Sequence, residues 1–165
     1  MHKLETGNHT LFPLDGWQHA DFDDSSWPAG VMPMRTGRSR NYSVMCLRTR
    51  FNIADPAKVG DLELSMAYRG GVVAYLNGEE IARTDMPEGT IDLDTPAKDY
   101  PRDAYVGPEG HLLRRGFKDP SRYNKRFALR NRRVDSITVP ASKLRKGVNV
   151  IALSAHRPPT DSILY

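Results

Sequence analysis

Arg48, Arg50 and Arg69 are the first residues with chemistry within reach. Arg48 and Arg50 fall on alternate positions of a strand-like run and share a face. Glu63, Ser65 and Arg69 share a face on the neighbouring run. If those faces adjoin, they form a patch of donors and acceptors. Guanidinium forks suit hydroxyl pairs and carboxylates. A pyranose also offers an apolar C–H face, so a sugar site needs an aromatic platform as well. Tyr100 and Tyr105 lie in an irregular stretch and are freer than the other aromatics to be exposed. Trp17, Trp27 and Tyr68 read as core anchors, and Tyr42 is a further loop aromatic. His156 ends a long apolar run and is either a ligand contact or a hydrogen-bonded structural histidine. Solvation is the default for a polar strand face and burial for an aromatic, and each candidate is weighed against that default.

A second candidate is electrostatic. Residues 114–133 hold nine Lys or Arg against the single acid Asp119, a charge of +8, while the other 15 basic and 19 acidic residues sum to −4. The patch is represented by Arg114, Arg115, Arg122, Lys125 and Arg126. Interleaved with Phe117, Tyr123 and Phe127, it could meet an anionic glycan, a protein partner or, last in order, nucleic acid. The plainest reading is a charged loop paired with acids elsewhere in the chain.

Enzymatic chemistry finds little purchase. The sequence has no G-x-S-x-G, Walker loop, H-E-x-x-H or G-x-G-x-x-G pattern. Glu79 and Glu80 are adjacent at a turn and should point apart, whereas a glycosidase pair faces across roughly 5–9.5 Å. The acidic groups Asp21/Asp23/Asp24 and Asp92/Asp94 do not match an EF-hand spacing, so a structural calcium has no motif behind it. Turn formation explains these aspartates. Cys46 is the only cysteine, which excludes an internal disulfide and a cysteine-based zinc site. No cofactor is expected.

The elements that must position these residues are strands. Asn77-Gly78 between apolar runs predicts a two-residue hairpin, because a type I′ turn needs positive φ at both central positions. Ser43–Ile53 alternates with period two, with Leu47, Thr49, Phe51 and Ile53 on one face and Cys46, Arg48, Arg50 and Asn52 on the other. Leu62, Leu64, Met66 and Tyr68 alternate likewise. Ser136–Val139 is a short strand stopped by Pro140, and Ala141–Arg145 suits one helical turn. Val148–Ala155 is nearly continuously apolar and should be central. Phe22 and Trp27 should pin the polar loop around them onto the core. Proline and glycine punctuate residues 86–134 too often for a long helix. No apolar run approaches the roughly 18 residues of a membrane span, and no membrane partner is expected. The N-terminus shows no apolar signal-peptide region.

Three stretches carry a resemblance. They are Asp21-Phe-Asp-Asp-Ser-Ser-Trp-Pro28, the run from Leu62 through the hairpin to Gly89, and Val139-Pro-Ala-Ser-Lys-Leu-Arg-Lys-Gly-Val-Asn-Val-Ile-Ala-Leu-Ser-Ala-His156. Together they resemble the galactose-binding-like β-sandwich superfamily. The likeness is closest to accessory modules of large secreted bacterial proteins, and more distant to the sugar-binding domain of family 2 glycoside hydrolases. It spans roughly Trp17 to Arg157. Ser154 stands where the family often has Glu, and the basic segment 108–133 is longer than in compact members.

The resemblance implies an all-β jelly-roll sandwich over 17–165. An extended lead-in covers 1–16, and a long irregular basic insertion covers 90–134. Ser162–Tyr165 looks like the start of a further strand, as in a piece of a larger protein. The implied function is a non-catalytic carbohydrate-binding module, outside the cell or in the periplasm, and the basic segment adds a preference for anionic glycans. Its partners would be polysaccharides or oligosaccharides and the neighbouring domains of a larger polypeptide. The alternative is a structural or interaction spacer with no glycan site. The carbohydrate-site candidates are Arg48, Arg50, Arg69, Tyr100, Tyr105 and His156.

Overall fold

A computed structural model describes residues 15–31, 43–92, 94–113 and 120–159. The described chain forms six strands: β1 (Val44–Ile53), β2 (Leu62–Tyr68), β3 (Gly71–Leu76), β4 (Glu79–Thr84), β5 (Arg132–Val139) and β6 (Gly147–His156). One short α-helix, α1 (Asn124–Ala128), and four single turns of 3-10 helix interrupt them. All strand pairs are antiparallel, in a four-stranded sheet of order β1-β6-β3-β4 and a two-stranded sheet of β2 and β5. The all-β sandwich expectation holds. β6 is central, flanked by β1 and β3, as its continuous apolar sequence requires.

Strand alternation assigns the two faces of the larger sheet. Phe51, Ile53, Leu76 and Ile151 face the smaller sheet, where they pack with Leu62, Leu64, Val139 and Leu144. The opposite face carries Cys46, Tyr75, Val150 and Ala152, covered by Trp17, Ala20, Phe22 and Trp27 of the N-terminal loop. Val73 on that same face is covered by Met86, Ile91 and Ala97. The larger sheet is therefore packed on both sides, by strands on one and by irregular chain on the other.

The hairpin forms as its sequence dictates. Asn77 and Gly78 have φ of 52° and 95°, and Leu76 pairs with Glu79 across the turn. Glu79 and Glu80 are exposed beside the turn, but Asn77 itself is not. Asn77 is buried, and its amide donates to Asn149 Oδ1 at 2.9 Å while its own Oδ1 accepts from the Val150 N–H at 2.9 Å. Asn149 Nδ2 donates in turn to the carbonyls of Arg145 and Gly147. At the crossing from β2 to β3, Gly70 takes φ of 77°, and a β-carbon there would lie 1.9 Å from the His156 carbonyl oxygen. Only glycine passes.

β5 begins at Arg132, four residues before the strand expected at Ser136. Its pairing with β2 shifts between Leu64 and Met66: Leu64 faces Ile137, but Met66 faces Val134. The extra residue on β5 is a bulge, which breaks the period-two pattern that would reveal the strand in sequence. Val134 and Arg132 still turn inward beyond it.

Asn149→Ala should lower unfolding free energy by about 3 kcal/mol, since it strands several buried polar groups at ~1–3 kcal/mol each. Urea denaturation checks this. The midpoint should fall with an unchanged slope, and a loss under 1 kcal/mol would show that the amide network is dispensable.

Candidate functional site

β1 and β2 lie in different sheets, so the polar faces of Arg48/Arg50 and Glu63/Ser65/Arg69 do not adjoin. Leu62 and Leu64 occupy the core side of β2, which turns Glu63 and Ser65 outward. Arg48 and Arg50 share a face with Cys46, on the opposite side of the larger sheet, beneath the N-terminal loop. The single patch expected from alternation is two separate surfaces.

Arg48 is consumed by that loop. Its side chain is 2% exposed, and its Nε donates to Asp24 Oδ2 at 2.8 Å. Its other nitrogens donate to the backbone carbonyls of Trp17, His19 and Phe22. Burial works to raise the Asp24 pKa, but hydrogen bonds from Arg48 and Arg50 outweigh it and hold the carboxyl below the usual value. Arg50 reaches the same carboxylate at 2.6 Å but is 47% exposed. Around this pair Trp17 stacks on Trp27 with centroids 6.1 Å apart and meets the Tyr75 edge at 6.0 Å. The loop is pinned as its aromatics predict. Cys46, beneath it, has a thiol pKa pushed up to about 12 by burial, the mark of an inert thiol.

Tyr100 and Tyr105 are 6% and 5% exposed, not open platforms. Irregular backbone does not imply exposed side chains: these two rings are the local core of their segment, with Ala104 and Val106. The Tyr100 hydroxyl accepts from the Gly70 N–H at 2.6 Å, and the Tyr105 hydroxyl donates to Asp99 Oδ1 at 2.9 Å. Arg132 lies 4.3 Å over the Tyr100 ring and donates to the carbonyls of Gly70, Lys98 and Asp99. Arg130 lies over Tyr105 and donates to the carbonyls of Ala104 and Leu113. Arg69 is exposed and holds Asn131 Oδ1 at 3.2 Å.

His156 is 2% exposed, with Nδ1 3.0 Å from the Thr95 carbonyl. Burial lowers its pKa below 6.5, against smaller raising effects from that carbonyl and from Asp92. The carbohydrate-site candidates thus fall in two places: Arg48 and Arg50 under the N-terminal loop, and Arg69, Tyr100, Tyr105 and His156 around Gly70, whose neighbour Gly71 pairs with His156 at the end of β6.

Asp23 and Asp92 serve turns as expected, whereas the Asp24 carboxylate is taken by Arg48 and Arg50 instead. Asp23 accepts from the Ser25 N–H, and Asp92 accepts from the Asp94 N–H and the Thr95 hydroxyl. Among the described residues no group of three or more His, Cys, Asp or Glu side chains could hold a metal ion. No helix there is long and apolar enough to cross a membrane.

The basic segment divides. Arg114 and Arg115 lie outside the described residues, as does Tyr42. Arg130 and Arg132 are internal props. Arg122, Lys125 and Arg126 line an open groove of about 430 Å3, together with Pro108, Tyr123 and Asn124. Two groove cations pair with acids outside the segment: Arg122 with Glu109 at 2.6 Å and Arg126 with Asp103 at 3.0 Å. Sequence reasoning passed over Pro108, Asn124, Glu109 and Asp103. The signal for the acids was present, since both stand in the punctuated stretch just ahead of the basic run.

Neither a protein-family model nor a solved structure matches the chain. An alpha-L-rhamnosidase of Streptomyces avermitilis is 28% identical over an alignment 137 residues long that takes in 71% of this chain. The same stretch is 13% of the rhamnosidase, so the chain corresponds to a small part of that protein. The similarity connects this sandwich with a segment of a glycoside hydrolase.

Both tryptophans lie in the N-terminal loop, so emission reports on it directly. Arg48→Ala should shift that emission to the red and cost about 3 kcal/mol, the scale of breaking a buried ion pair. Arg50→Ala should cost less than ~1 kcal/mol. Equal effects would assign the lock to Asp24 and the aromatics alone. For His156, a depressed folded pKa means its contribution to stability is complete above the unfolded value near 6.5 and is lost as pH falls. The stability advantage of the wild type over His156→Gln should therefore narrow from pH 7.5 to pH 5. Parallel profiles would contradict a depressed pKa.

Proposed function

We propose that this chain is a non-catalytic carbohydrate-binding module of a larger secreted or periplasmic bacterial protein that processes glycans. We take its sandwich to be of the galactose-binding-like, jelly-roll type. The observation that carries the reading is the similarity of most of this chain to a small part of an alpha-L-rhamnosidase. Accessory modules occupy such a share of large glycosidases, and tethering makes their weak sugar affinity useful. The carboxylates support the non-catalytic reading. Glu79 pairs with Lys143 and Glu80 with Arg83 at 2.7 Å, so the adjacent glutamates are turned to separate cations.

One observation favours a second reading, a spacer that orients neighbouring domains. Arg48, Tyr100, Tyr105 and His156 all spend their polar groups on the chain itself. A spacer would leave the groove beside Arg126 unexplained. The chain applied to a glycan array of neutral and acidic oligosaccharides separates the two. Retention on at least one glycan class, competed by the same free sugar, is expected of the module. Silence across the array would leave the spacer.

A further inference from the structure

We infer that the groove between the Asp103–Glu109 segment and the Arg122–Arg126 segment is a subsite for a sugar carboxylate, one hexuronate residue of an acidic glycan. The inference rests on the carbohydrate reading above and adds the group recognised and the residues that recognise it. The volume of about 430 Å3 lies within the roughly 300–1,000 Å3 of small-ligand clefts.

Donor accounting identifies the recognition groups. Every bond that Arg126 makes to the described residues runs through Nη1: to the Val106 carbonyl at 2.6 Å, to the Asp103 carbonyl at 3.3 Å and to Asp103 Oδ1 at 3.0 Å. Those bonds fix the guanidinium plane, and among the described residues Nε and Nη2 have no partner, which presets them as a fork. Such a fork, on a residue that lines the groove, matches the two oxygens of a carboxylate. Lys125 is exposed and makes no ion pair among the described residues. Exposed Asn124 adds an amide, and Pro108 gives an apolar wall for the C–H face of a ring.

Charge decides the ligand class. Among the described residues, Arg122, Lys125 and Arg126 of the groove stand against their partners Glu109 and Asp103, which leaves a net +1. One carboxylate balances it. A nucleic-acid strand brings a phosphate at every nucleotide, and its affinity comes from neutralising several of them. Arg130 and Arg132, which would extend a phosphate track, are turned inward onto backbone carbonyls.

The test is calorimetry and amide chemical-shift mapping on the whole chain. The probes are tri-galacturonic acid, its full methyl ester and a single-stranded 12-nucleotide DNA. The acid should bind with shifts at residues 122–126, should lose affinity as salt rises, and should exceed the ester by roughly tenfold or more, the worth of a charge-assisted hydrogen bond. Lys125→Ala, an exposed change, and Arg126→Lys, which keeps the charge but removes the fork, should each weaken the acid by a larger factor than the ester, whose carbonyl still accepts but carries no charge. Thermal melts confirm that both variants are folded. Equal binding of acid and ester, or folded variants that both bind as the wild type does, would overturn the subsite while leaving the carbohydrate reading in place. Tighter binding of the DNA would overturn it in favour of a phosphate site. Failure of these probes and of every glycan on the array would remove the carbohydrate reading and the subsite together.

Discussion

The two buried amides Asn77 and Asn149 set the geometry on which the other strands depend. They stand 72 residues apart in sequence. One closes the β3–β4 turn and the other sits near the start of the central strand. Asn77 also exchanges backbone hydrogen bonds with Val150 through its N–H and its side-chain oxygen. A slip of β3 against β6 by one residue would break all of these at once, with each stranded group costing ~1–3 kcal/mol. It would also invert every side chain on the strand. Asparagine suits position 77 for two reasons: it tolerates φ of 52°, and its side chain carries both a donor and an acceptor. With β3 and β6 in register, β1 follows along the other edge of β6. The alternation then hands Val150 and Ala152 to one core and Ile151 to the other.

The irregular half of the molecule is held by arginine. Loops that cover a sheet bring backbone carbonyls into contact with apolar surface, and those carbonyls need donors. A guanidinium offers five N–H groups in one plane, enough to serve several carbonyls from a single side chain. Arg48 does this for Trp17, His19 and Phe22, Arg132 for Gly70, Lys98 and Asp99, and Arg130 for Ala104 and Leu113. The rings of Tyr100 and Tyr105 lie beneath two of these cations. Irregular chain thereby acquires ordered packing without a ladder of its own.

The frame was legible in sequence because its signals are local. Asn77-Gly78 reports its own turn, the alternation of Leu62, Leu64 and Met66 its own strand, and the unbroken apolar run after Val148 its central position. The loop anchors Phe22 and Trp27 stood out as large rings among short polar residues. What was not legible depends on pairing at a distance. Nothing within Ser43–Ile53 or Leu62–Arg69 says that the two runs enter different sheets, so their polar faces could be joined on paper and not in space. The bulge opposite Ser65 hid the first half of β5. Tyr100 and Tyr105 looked available because turn-rich sequence signals backbone shape, not side-chain burial.

The same limit governs the basic segment, and it bears on how a site is told from a scaffold. Arg126, Arg130 and Arg132 are identical in sequence terms: three arginines within seven residues, among aromatics. They differ in how many donors the fold uses. Arg132 spends Nη1, Nη2 and Nε on three carbonyls and Asp85. Arg130 is buried with its nitrogens on Ala104 and Leu113. Arg126 is half-buried, oriented through one nitrogen, and beside an open groove. Net charge cannot separate these cases, because a guanidinium keeps its charge whether it props a loop or awaits an anion. Recognition needs unspent hydrogen-bonding capacity held in a fixed direction. By that criterion the fold withdraws Arg48, Arg130 and Arg132 from any binding surface, while Arg126, at the edge of the insertion, keeps donors that no described residue uses.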